Sequence, residues 1–340
     1  MTPAPAIPSV AAPLAAELGD ALRAAGLTAR MLATWVGRGR VPVVAASLPA
    51  LRAALRAREV MPAGVALALF VAGAELALER AARLPLDALL AAGLVERDAG
   101  HVRATVALLP VGAALVACDR ADAAEHVERV CWPDDSSDHL AAAIPPDARR
   151  TWTDLACGSA FAQLLRPEQA AVRCALDANP RAVACARLGA ALSRIAIAVD
   201  IADIGDATSR AIATAGADLV TCNAPMPGGA PGDPMWQRTN GAFFDRLFAT
   251  LPDRLVRSPA AMAIVHARRD ALPGALAALP GERVVVRYTP DGVPAFAVLW
   301  WRPHAPDHLV ERATVLTALR PHVDAEDRAA LLALTARKRS

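Results

Sequence analysis

The chain has 340 residues, 55% of them hydrophobic, which is long enough for two domains of ordinary size with a sizeable core. No apolar run is long and uncharged enough to span a bilayer, and the N-terminal residues lack the basic region of a signal peptide, so we expect a cytoplasmic protein. The net charge of +2, with basic and acidic residues mixed along the chain, does not require a nucleic-acid partner.

The N-terminal part, residues 1–118, has the pattern of a helical domain. From Ala11 to Glu59, Leu and Ala recur at the i, i+3, i+4 spacing of amphipathic helices. A short helix, a turn and a second helix, Leu86 to Glu96, then lead into a predicted hairpin between HVRATVALL and GAALVACD, with a turn at residues 98–100. This order resembles a winged helix, whose second helix reads the major groove in DNA-binding members. That helix carries Asp87 and no basic residue, so we expect no DNA role.

Residues 119–149 are polar and rich in proline, which predicts a linker between domains. Within it, the strip from Ser136 to Pro145 directly precedes the first strand of the next domain and could cover a ligand there. From residue 150 to 305, seven apolar strand-like runs follow one another, and helical runs separate the first six. This alternation predicts a mainly parallel, doubly wound α/β sheet of Rossmann-like type.

The last two of these runs are joined only by TPDG, which is too short for a crossover, so the seventh strand is predicted to be antiparallel. The tail, residues 306–340, contains the amphipathic stretches DHLVERATVLTALR and AEDRAALLALTARK. We expect both to be helices that pack on the core or on a second subunit.

The six cysteines favour buried, reduced thiols over a disulfide or zinc framework. None forms a CxxC pair, and most lie in apolar surroundings. The seven histidines show no HExxH or related ligand spacing, so we expect no bound metal. The cysteines are Cys118, Cys131, Cys157, Cys174, Cys185 and Cys222.

The first predicted strand ends in the motif TDLACGSAFAQLL, residues 153–165. An acidic residue followed by small residues and a helix lets the backbone approach a ligand at the carboxyl edge of a sheet. The motif resembles motif I of class I S-adenosylmethionine (SAM)-dependent methyltransferases, with Asp154 at the acidic position and Gly158 at the central glycine. Ala156 and Ala160 stand where the family has glycines, and these departures would narrow the space around the methionine portion of SAM.

The second strand ends in CALDANP and strengthens the resemblance. A carboxylate at the end of this strand, here Asp177, can accept hydrogen bonds from both hydroxyls of a ribose. The pattern of an acid followed by a helix that starts at proline also matches the family, with Ala178 beside the ribose. Asn179 is predicted to cap that helix and Pro180 to be its first residue.

The third strand continues as AIAVDIADIGD. By the resemblance, Asp203 takes the position of an acid that accepts from the adenine amino group, and Ile204 lies against the adenine face. Asp200 is the alternative for the adenine contact.

The fourth strand ends in TCNAPMP, at the position of the Asn-Pro-Pro-Tyr/Phe motif of nitrogen methyltransferases. In that family the Asn oxygen and a backbone carbonyl hold the N–H groups of the acceptor, while the aromatic ring stacks on its plane. Asn223 and Pro225 are kept, and by the resemblance Asn223 and Cys222 are also expected to contact SAM. Ala224 and Met226 depart from the motif, and methionine offers no flat stacking face, which weakens the case for a planar amide or base as acceptor.

A long loop rich in proline and glycine, residues 227–244, follows the acceptor motif. It carries Met235, Trp236, Phe243 and Phe244, which are expected either to close as an apolar lid over the acceptor or to anchor the loop in the core. The sequence leaves both readings open.

The four motifs occur in order, so the resemblance covers residues 136–303 and implies SAM as cosubstrate. It predicts methyl transfer to a nitrogen of a small-molecule, secondary-metabolite or amino-acid-like acceptor, with Asn223, Pro225 and Met226 at the catalytic position. One alternative is cyclisation of SAM to azetidine-2-carboxylate with release of methylthioadenosine, because known SAM cyclases resemble methyltransferases. Another is a protein that binds SAM, or a partner, without turnover. Winged-helix-like domains in small-molecule methyltransferases often dimerise, so a homodimer is also an open expectation.

Overall fold

The computed structural model describes residues 6–36, 48–56, 58, 60–204, 216–226, 228–238, 241–268, 272, 276, 279–288 and 296–314. The chain divides into two compact units. The first comprises residues 1–134, 158–165 and 181–196, and the second comprises residues 135–157, 166–180 and 197–340. None of the described helices combines the length and the apolar character that a membrane crossing requires.

The helices and strands follow one another in a helical, then mixed, then α/β order. The α-helices are α1 (Ala12–Ala24), α2 (Ala29–Val36), α3 (Leu48–Arg56), α4 (Pro62–Phe70), α5 (Leu78–Ala81), α6 (Leu86–Ala91), α7 (Asp135–Ala143), α8 (Phe161–Leu165), α9 (Pro180–Ser193) and α10 (Gly241–Arg254). The strands are β1 (Leu76–Ala77), β2 (Val95–Asp98), β3 (His101–Ala104), β4 (Ala107–Val111), β5 (Ala114–Cys118), β6 (Arg149–Leu155), β7 (Ala170–Asp177), β8 (Ala198–Ile201), β9 (Leu219–Asn223), β10 (Met262–Arg268), β11 (Glu282–Tyr288), β12 (Phe296–Arg302) and β13 (His308–Thr314).

The first unit is built around α4, which is apolar on every side and has its residues from 63 to 70 buried. Strands β1, β3 and β2 form a small antiparallel sheet, and β4 pairs with β5 in a hairpin. The sequence here predicts a helix, a second helix and a hairpin in the same order. The resemblance of this order to a winged helix stays a prediction.

Two details of this region differ from the sequence prediction. The helix expected to run to Glu96 ends at Ala91, because Gly93 adopts a left-handed φ of +69° and Val95 begins a strand that pairs with β3. The turn at residues 98–100 therefore joins β2 to β3. Only the second half of HVRATVALL, as β4, pairs with GAALVACD, because its first half is already hydrogen-bonded to β2.

The second unit contains an eight-stranded sheet in the order β13-β11-β12-β10-β9-β6-β7-β8. Five adjacent strands run parallel to one another, and they are β10, β9, β6, β7 and β8. Strand β12 is antiparallel to both β10 and β11. The predicted Rossmann-like sheet, with all seven strands and the antiparallel seventh, is thus confirmed. The TPDG connection lies outside the described residues.

The chain runs outward from β6 through β7 to β8, and then resumes on the other side of β6 with β9 and β10. The strand order therefore reverses between β6 and β9. In open α/β sheets, ligands bind outside the carboxyl ends of the strands at such a switch point.

The tail prediction is wrong for its first residues, because His308–Thr314 is the strand β13 and not part of a helix. It pairs in parallel with β11 over all seven residues, so the edge of the sheet satisfies its backbone hydrogen bonds. The expected helices of residues 315–340 lie outside the described residues.

The predicted linker contains a helix, α7, that packs within the second unit. Its residues from Asp138 onward are buried together with Ile144, and the Trp300 indole donates to the Ala143 carbonyl at 2.7 Å. Burial of an apolar helical face, rather than the polar and proline content around it, decides the conformation of this segment.

Candidate functional site

The ends of three adjacent strands meet at the switch point of the sheet. Leu155, the last residue of β6, lies opposite Leu176 of β7 and Cys222 of β9, so the next residues along, Asp177 and Asn223, flank the end of β6. Neighbouring strands lie about 4.8 Å apart, which separates the backbones of Asp177 and Asn223 by about 10 Å. The structure thus brings the predicted ribose acid and the predicted acceptor-holding asparagine to one edge.

The Asn223 side chain is held from two sides. Its amide nitrogen donates to the Ser136 hydroxyl at 2.9 Å, and its Oδ1 lies 2.9 Å from Nδ1 of His266, the register partner of Asn223 on β10. The second ring nitrogen of His266 is hydrogen-bonded to the Tyr288 hydroxyl. Asn223 is half-buried, whereas His266 and Tyr288 are each only 2% exposed.

This network assigns the tautomer of His266. Because the Asn223 amide nitrogen points to Ser136, its oxygen faces the ring, so Nδ1 carries the proton and donates. The Nε2 atom is then an acceptor for the Tyr288 hydroxyl. Hydrogen bonds therefore run in one direction from Tyr288 through His266 and Asn223 to Ser136, which fixes the plane of the Asn223 amide.

Aromatic packing holds the same residues rigidly. The Phe296 ring stacks on the His266 ring at 5.5 Å between centroids, and the His139 ring lies 4.3 Å from that of Tyr288. The sequence motifs do not include His266 or Tyr288, and Ser136 enters the sequence prediction only as the first residue of the strip expected to cover a ligand. The available signal was His266, the one polar residue in the apolar run AAMAIVHA.

Asp154 lies inside the protein with only 3% of its surface exposed. The Thr221 hydroxyl donates to its Oδ1 at 2.5 Å, and the Trp152 indole donates to Thr221 at 2.8 Å. Burial raises the pKa of Asp154 to about 7; the bond from Thr221 acts against this rise and the charge of Asp177 adds to it. The acid of the first motif is thus a buried group that supports the strand end.

The loop after β6 keeps the backbone conformation that glycines permit. Ala156, Gly158 and Ala160 have φ values of +52°, +54° and +56°. The Ala160 side chain is fully buried and Ala156 is half-buried. The Cys157 amide donates to the Leu176 carbonyl at 3.0 Å and ties the loop to β7. A left-handed φ costs an alanine about 1–2 kcal/mol relative to the right-handed region, whereas glycine adopts it readily.

We expect Ala156→Gly to raise the free energy of unfolding by about 0.5–1 kcal/mol, because relief of the strained φ outweighs the extra entropy of the unfolded chain. Urea unfolding measures the change. The matched control is Ala249→Gly at an exposed position inside α10, where glycine should destabilise by about 1 kcal/mol. Equal destabilisation by both substitutions would contradict the strain argument.

The helix after the ribose segment, α9, begins at Pro180 as predicted, whereas capping by the Asn179 side chain stays a prediction. One oxygen of the half-buried Asp177 accepts from the backbone N–H of Asn179 at 2.8 Å, and Ala178 is exposed. This bond holds the carboxylate at the strand end.

The adenine segment is described only in part. Asp203 is exposed just beyond β8, Ile204 is buried, and Asp200 is exposed within the strand. Residues 205–215, the rest of this predicted subsite, lie outside the described residues.

The acceptor loop is anchored by its backbone. The Ala224 amide donates to the His266 carbonyl at 2.9 Å, and the Met226 amide donates to the Trp236 carbonyl at 2.8 Å. Pro225 is half-buried, and 37% of Met226 is exposed. Cys222, by contrast, is fully buried, and this burial raises the pKa of its thiol well above the ordinary value. Its side chain is therefore a neutral core group, and only its backbone belongs to the edge formed by the strand ends.

The apolar residues of the following loop differ in how deeply they are buried. Phe244 is 2% exposed in the core, and its ring lies 5.3 Å from that of Phe243, which packs against the same cluster. Met235 and Trp236 lie in a short 3₁₀-helix and are half-buried. Phe244 is therefore a core anchor, and a lid function stays a prediction for the other residues. Within the described residues, no group of three or more His, Cys, Asp or Glu side chains could hold a metal ion.

Comparison with known proteins gives matches among solved structures only. No protein-family model and no curated protein sequence matches the chain. A predicted O-methyltransferase from Agrobacterium tumefaciens is 20% identical with a TM-score of 0.41, and the match covers 52% of this chain and 86% of that one. The N-methyltransferase NodS from Bradyrhizobium japonicum is 17% identical with a TM-score of 0.37, over 51% of this chain and 95% of that one.

A protein of Listeria monocytogenes assigned to the class I SAM-dependent methyltransferases matches over 97% of this chain and 100% of that one, at 13% identity and a TM-score of 0.40. These matches are methyltransferases, the class that the sequence motifs resemble. Every one of these TM-scores lies below 0.5, so none of these matches assigns a function to this chain.

Proposed function

We propose that this protein is a SAM-dependent methyltransferase that acts on a nitrogen of a small-molecule or amino-acid-like acceptor. One observation carries the proposal: an asparagine amide, held by Ser136 and by His266 with Tyr288 behind it, stands at the carboxyl end of the strand beside the switch point. A side chain fixed so firmly at a ligand-binding edge is suited to orienting a reacting group.

The cosubstrate side of the proposal rests on Asp177. Its carboxylate lies at the end of β7, which is separated from the strand of Asn223 by β6. There it can accept hydrogen bonds from the hydroxyls of a ribose. Asp203 and Ile204 follow β8 and would bound the adenine, and the left-handed loop from Ala156 would approach the methionine portion. When bound, SAM supplies an electrophilic methyl group.

The acceptor side rests on the free direction of the Asn223 oxygen. An amide oxygen has two acceptor sites, and His266 occupies one of them, which leaves the second to accept an N–H of the acceptor. Holding that N–H aims the nitrogen lone pair at the methyl group, so orientation supplies the catalysis. Met226 in place of an aromatic ring favours an aliphatic amine over a planar amide or base.

The test is an incubation of the pure protein with SAM, with and without a panel of aliphatic amines and amino acids, followed by mass spectrometry. S-adenosylhomocysteine that forms only with an acceptor, together with a product heavier by one methyl group, supports the proposal. Methylthioadenosine formed from SAM alone would instead show cyclisation. SAM that binds but is not consumed under any condition would show a binding protein.

We expect Asp177→Asn to weaken SAM binding by about 10–100-fold, because a neutral amide cannot accept two ribose hydroxyls as a carboxylate does. Titration calorimetry with SAM measures the affinity. Asp245→Asn removes a charge from an exposed position on α10 and should leave the affinity unchanged. Unchanged binding in Asp177→Asn would refute the ribose assignment.

A further inference from the structure

The first unit contains an open cleft of about 480 Å³ that is lined mainly by arginines. They come from α3, α5, β3 and the segment after β5, and they are Arg52, Arg56, Arg80, Arg103 and Arg120. The acidic residues of the lining are Glu75 and Asp122, so the cleft has an excess of three positive charges. The whole chain carries a net charge of only +2, so this cleft is a marked local concentration of positive charge.

Asp122 organises two of the arginines and does not cancel the cleft's charge. Its carboxylate accepts from Arg120 Nε at 2.9 Å and Nη2 at 2.7 Å, and from Arg52 Nη2 at 3.2 Å. Burial acts to raise the pKa of Asp122, but the bond and charge of Arg120 and the charge of Arg52 outweigh it, so the pKa is lowered and the group stays ionised.

Backbone carbonyls hold the same two guanidinium groups. Arg52 donates from Nε to the Ala72 carbonyl at 2.7 Å and from Nη2 to the Gly73 carbonyl at 3.3 Å. Arg120 donates from Nη1 to the Ala104 carbonyl at 3.0 Å. Gly73 has a φ of +62°, a backbone conformation that glycine adopts without strain, and this turn directs its carbonyl to Arg52. Because these side chains are already ordered, a ligand would not have to immobilise them.

The remaining arginines of the lining are Arg56, Arg80 and Arg103, and all three are exposed. Arg103 pairs with Glu96 across the β2–β3 ladder. A guanidinium group presents a planar fork of N–H donors that matches the oxygens of a phosphate. The volume of the cleft lies in the range that accommodates small organic ligands, about 300–1,000 Å³.

We propose that this cleft binds a phosphate-bearing ligand, either a small phosphorylated compound or the backbone of a single-stranded nucleic acid. Both sources offer the same chemistry, tetrahedral phosphate oxygens to several guanidinium groups. The inference does not depend on the proposed methyltransferase activity. It also differs from DNA reading by the second helix of a winged helix, because none of the five arginines lies on α6.

The probes are inorganic pyrophosphate, measured by calorimetry, and a fluorescent twelve-nucleotide RNA, measured by anisotropy at low salt. We expect Arg56→Glu and Arg80→Glu each to weaken binding at least about tenfold. The matched control is Arg97→Glu, an exposed position on β2 whose side chain points to the other face of the strand from Glu96 and which does not line the cleft. It should change the affinity by less than about twofold for pyrophosphate.

Binding of pyrophosphate would identify small phosphorylated compounds as the ligand class, and binding of RNA alone would identify the nucleic-acid backbone. Both outcomes support the proposal when the cleft variants lose binding and the control keeps it. Absence of binding for both probes, or an equal loss in Arg97→Glu, would overturn it. Arg56→Gln, which removes the charge without reversing it, should weaken binding severalfold, and thermal unfolding should show unchanged stability for each of these exposed positions.

Discussion

Asn223→Ala is expected to lower kcat for methyl transfer by about 100-fold, while SAM binds within about threefold of its normal affinity. The substitution removes the oxygen that the proposed mechanism uses to orient the acceptor, and it leaves Asp177, on the other side of β6, untouched. Measurement of S-adenosylhomocysteine production, with an acceptor from the amine panel, gives kcat, and calorimetry gives the SAM affinity. Full activity in Asn223→Ala would exclude acceptor orientation by this side chain.

Tyr288→Phe provides a matched variant that separates orientation of Asn223 from packing. It keeps the ring that contacts His139 and Phe296 and removes only the hydroxyl that donates to His266. Without that donor, the His266 ring loses its hydrogen bond to residue 288 and holds Asn223 less rigidly. We therefore expect about a tenfold lower kcat with an unchanged SAM affinity. A purely structural role of Tyr288 would lower the melting temperature without this selective loss of kcat.

The sheet could be predicted from the sequence because each of its predicted strands has a recognisable local sequence pattern. The runs that became β6, β7 and β9–β12 are apolar, separated by helical patterns or a short turn, and bounded by residues typical of strand ends. The order of acids and of Asn223 at those ends followed directly from the parallel arrangement, because carboxyl ends of parallel strands share an edge. The sequence alone therefore predicts that Asp177 and Asn223 lie at one edge of the sheet.

The elements that were missed depend on pairing and packing over long distances. The residues of β13 have an amphipathic helical pattern, and only the unpaired edge of β11 makes them a strand. The helix α7 lies in a segment rich in proline and polar residues, and its conformation follows from burial against strands far along the chain.

The hydrogen bonds that hold the Asn223 side chain also depend on residues that are far apart in the sequence. Ser136, His266 and Tyr288 come from three elements separated by up to 152 positions, and only the order β11-β12-β10-β9 brings them together. A motif at the end of one strand does not predict which side chains of the adjacent strands lie beside it. The position of Asn223 at the strand end is therefore predictable from the sequence, whereas the hydrogen bonds that orient its side chain are not.

Asp154→Asn is expected to stabilise the protein, and to do so more strongly at pH 8 than at pH 5. The pKa of Asp154 in the folded protein is about 7, because of its burial, and lies above the value of about 3.9 for an unfolded chain. Between these two values the folded state holds a proton that the unfolded state has released, so stability falls as the pH rises from about 4 to about 7. The loss between pH 5 and pH 8 is about 3 kcal/mol.

Asparagine removes this dependence because it cannot ionise, and its oxygen can still accept the hydrogen bond from Thr221. Thermal unfolding of the ligand-free protein at a series of pH values measures the effect. The melting temperature of the variant, relative to the wild-type protein, should rise by roughly 5–10 °C between pH 5 and pH 8. The control is Asp245→Asn, which removes an exposed carboxylate from α10. Its melting temperature relative to the wild-type protein should not change with pH. A flat difference in Asp154→Asn as well would mean that the carboxyl group is solvated in solution and already ionised below pH 5.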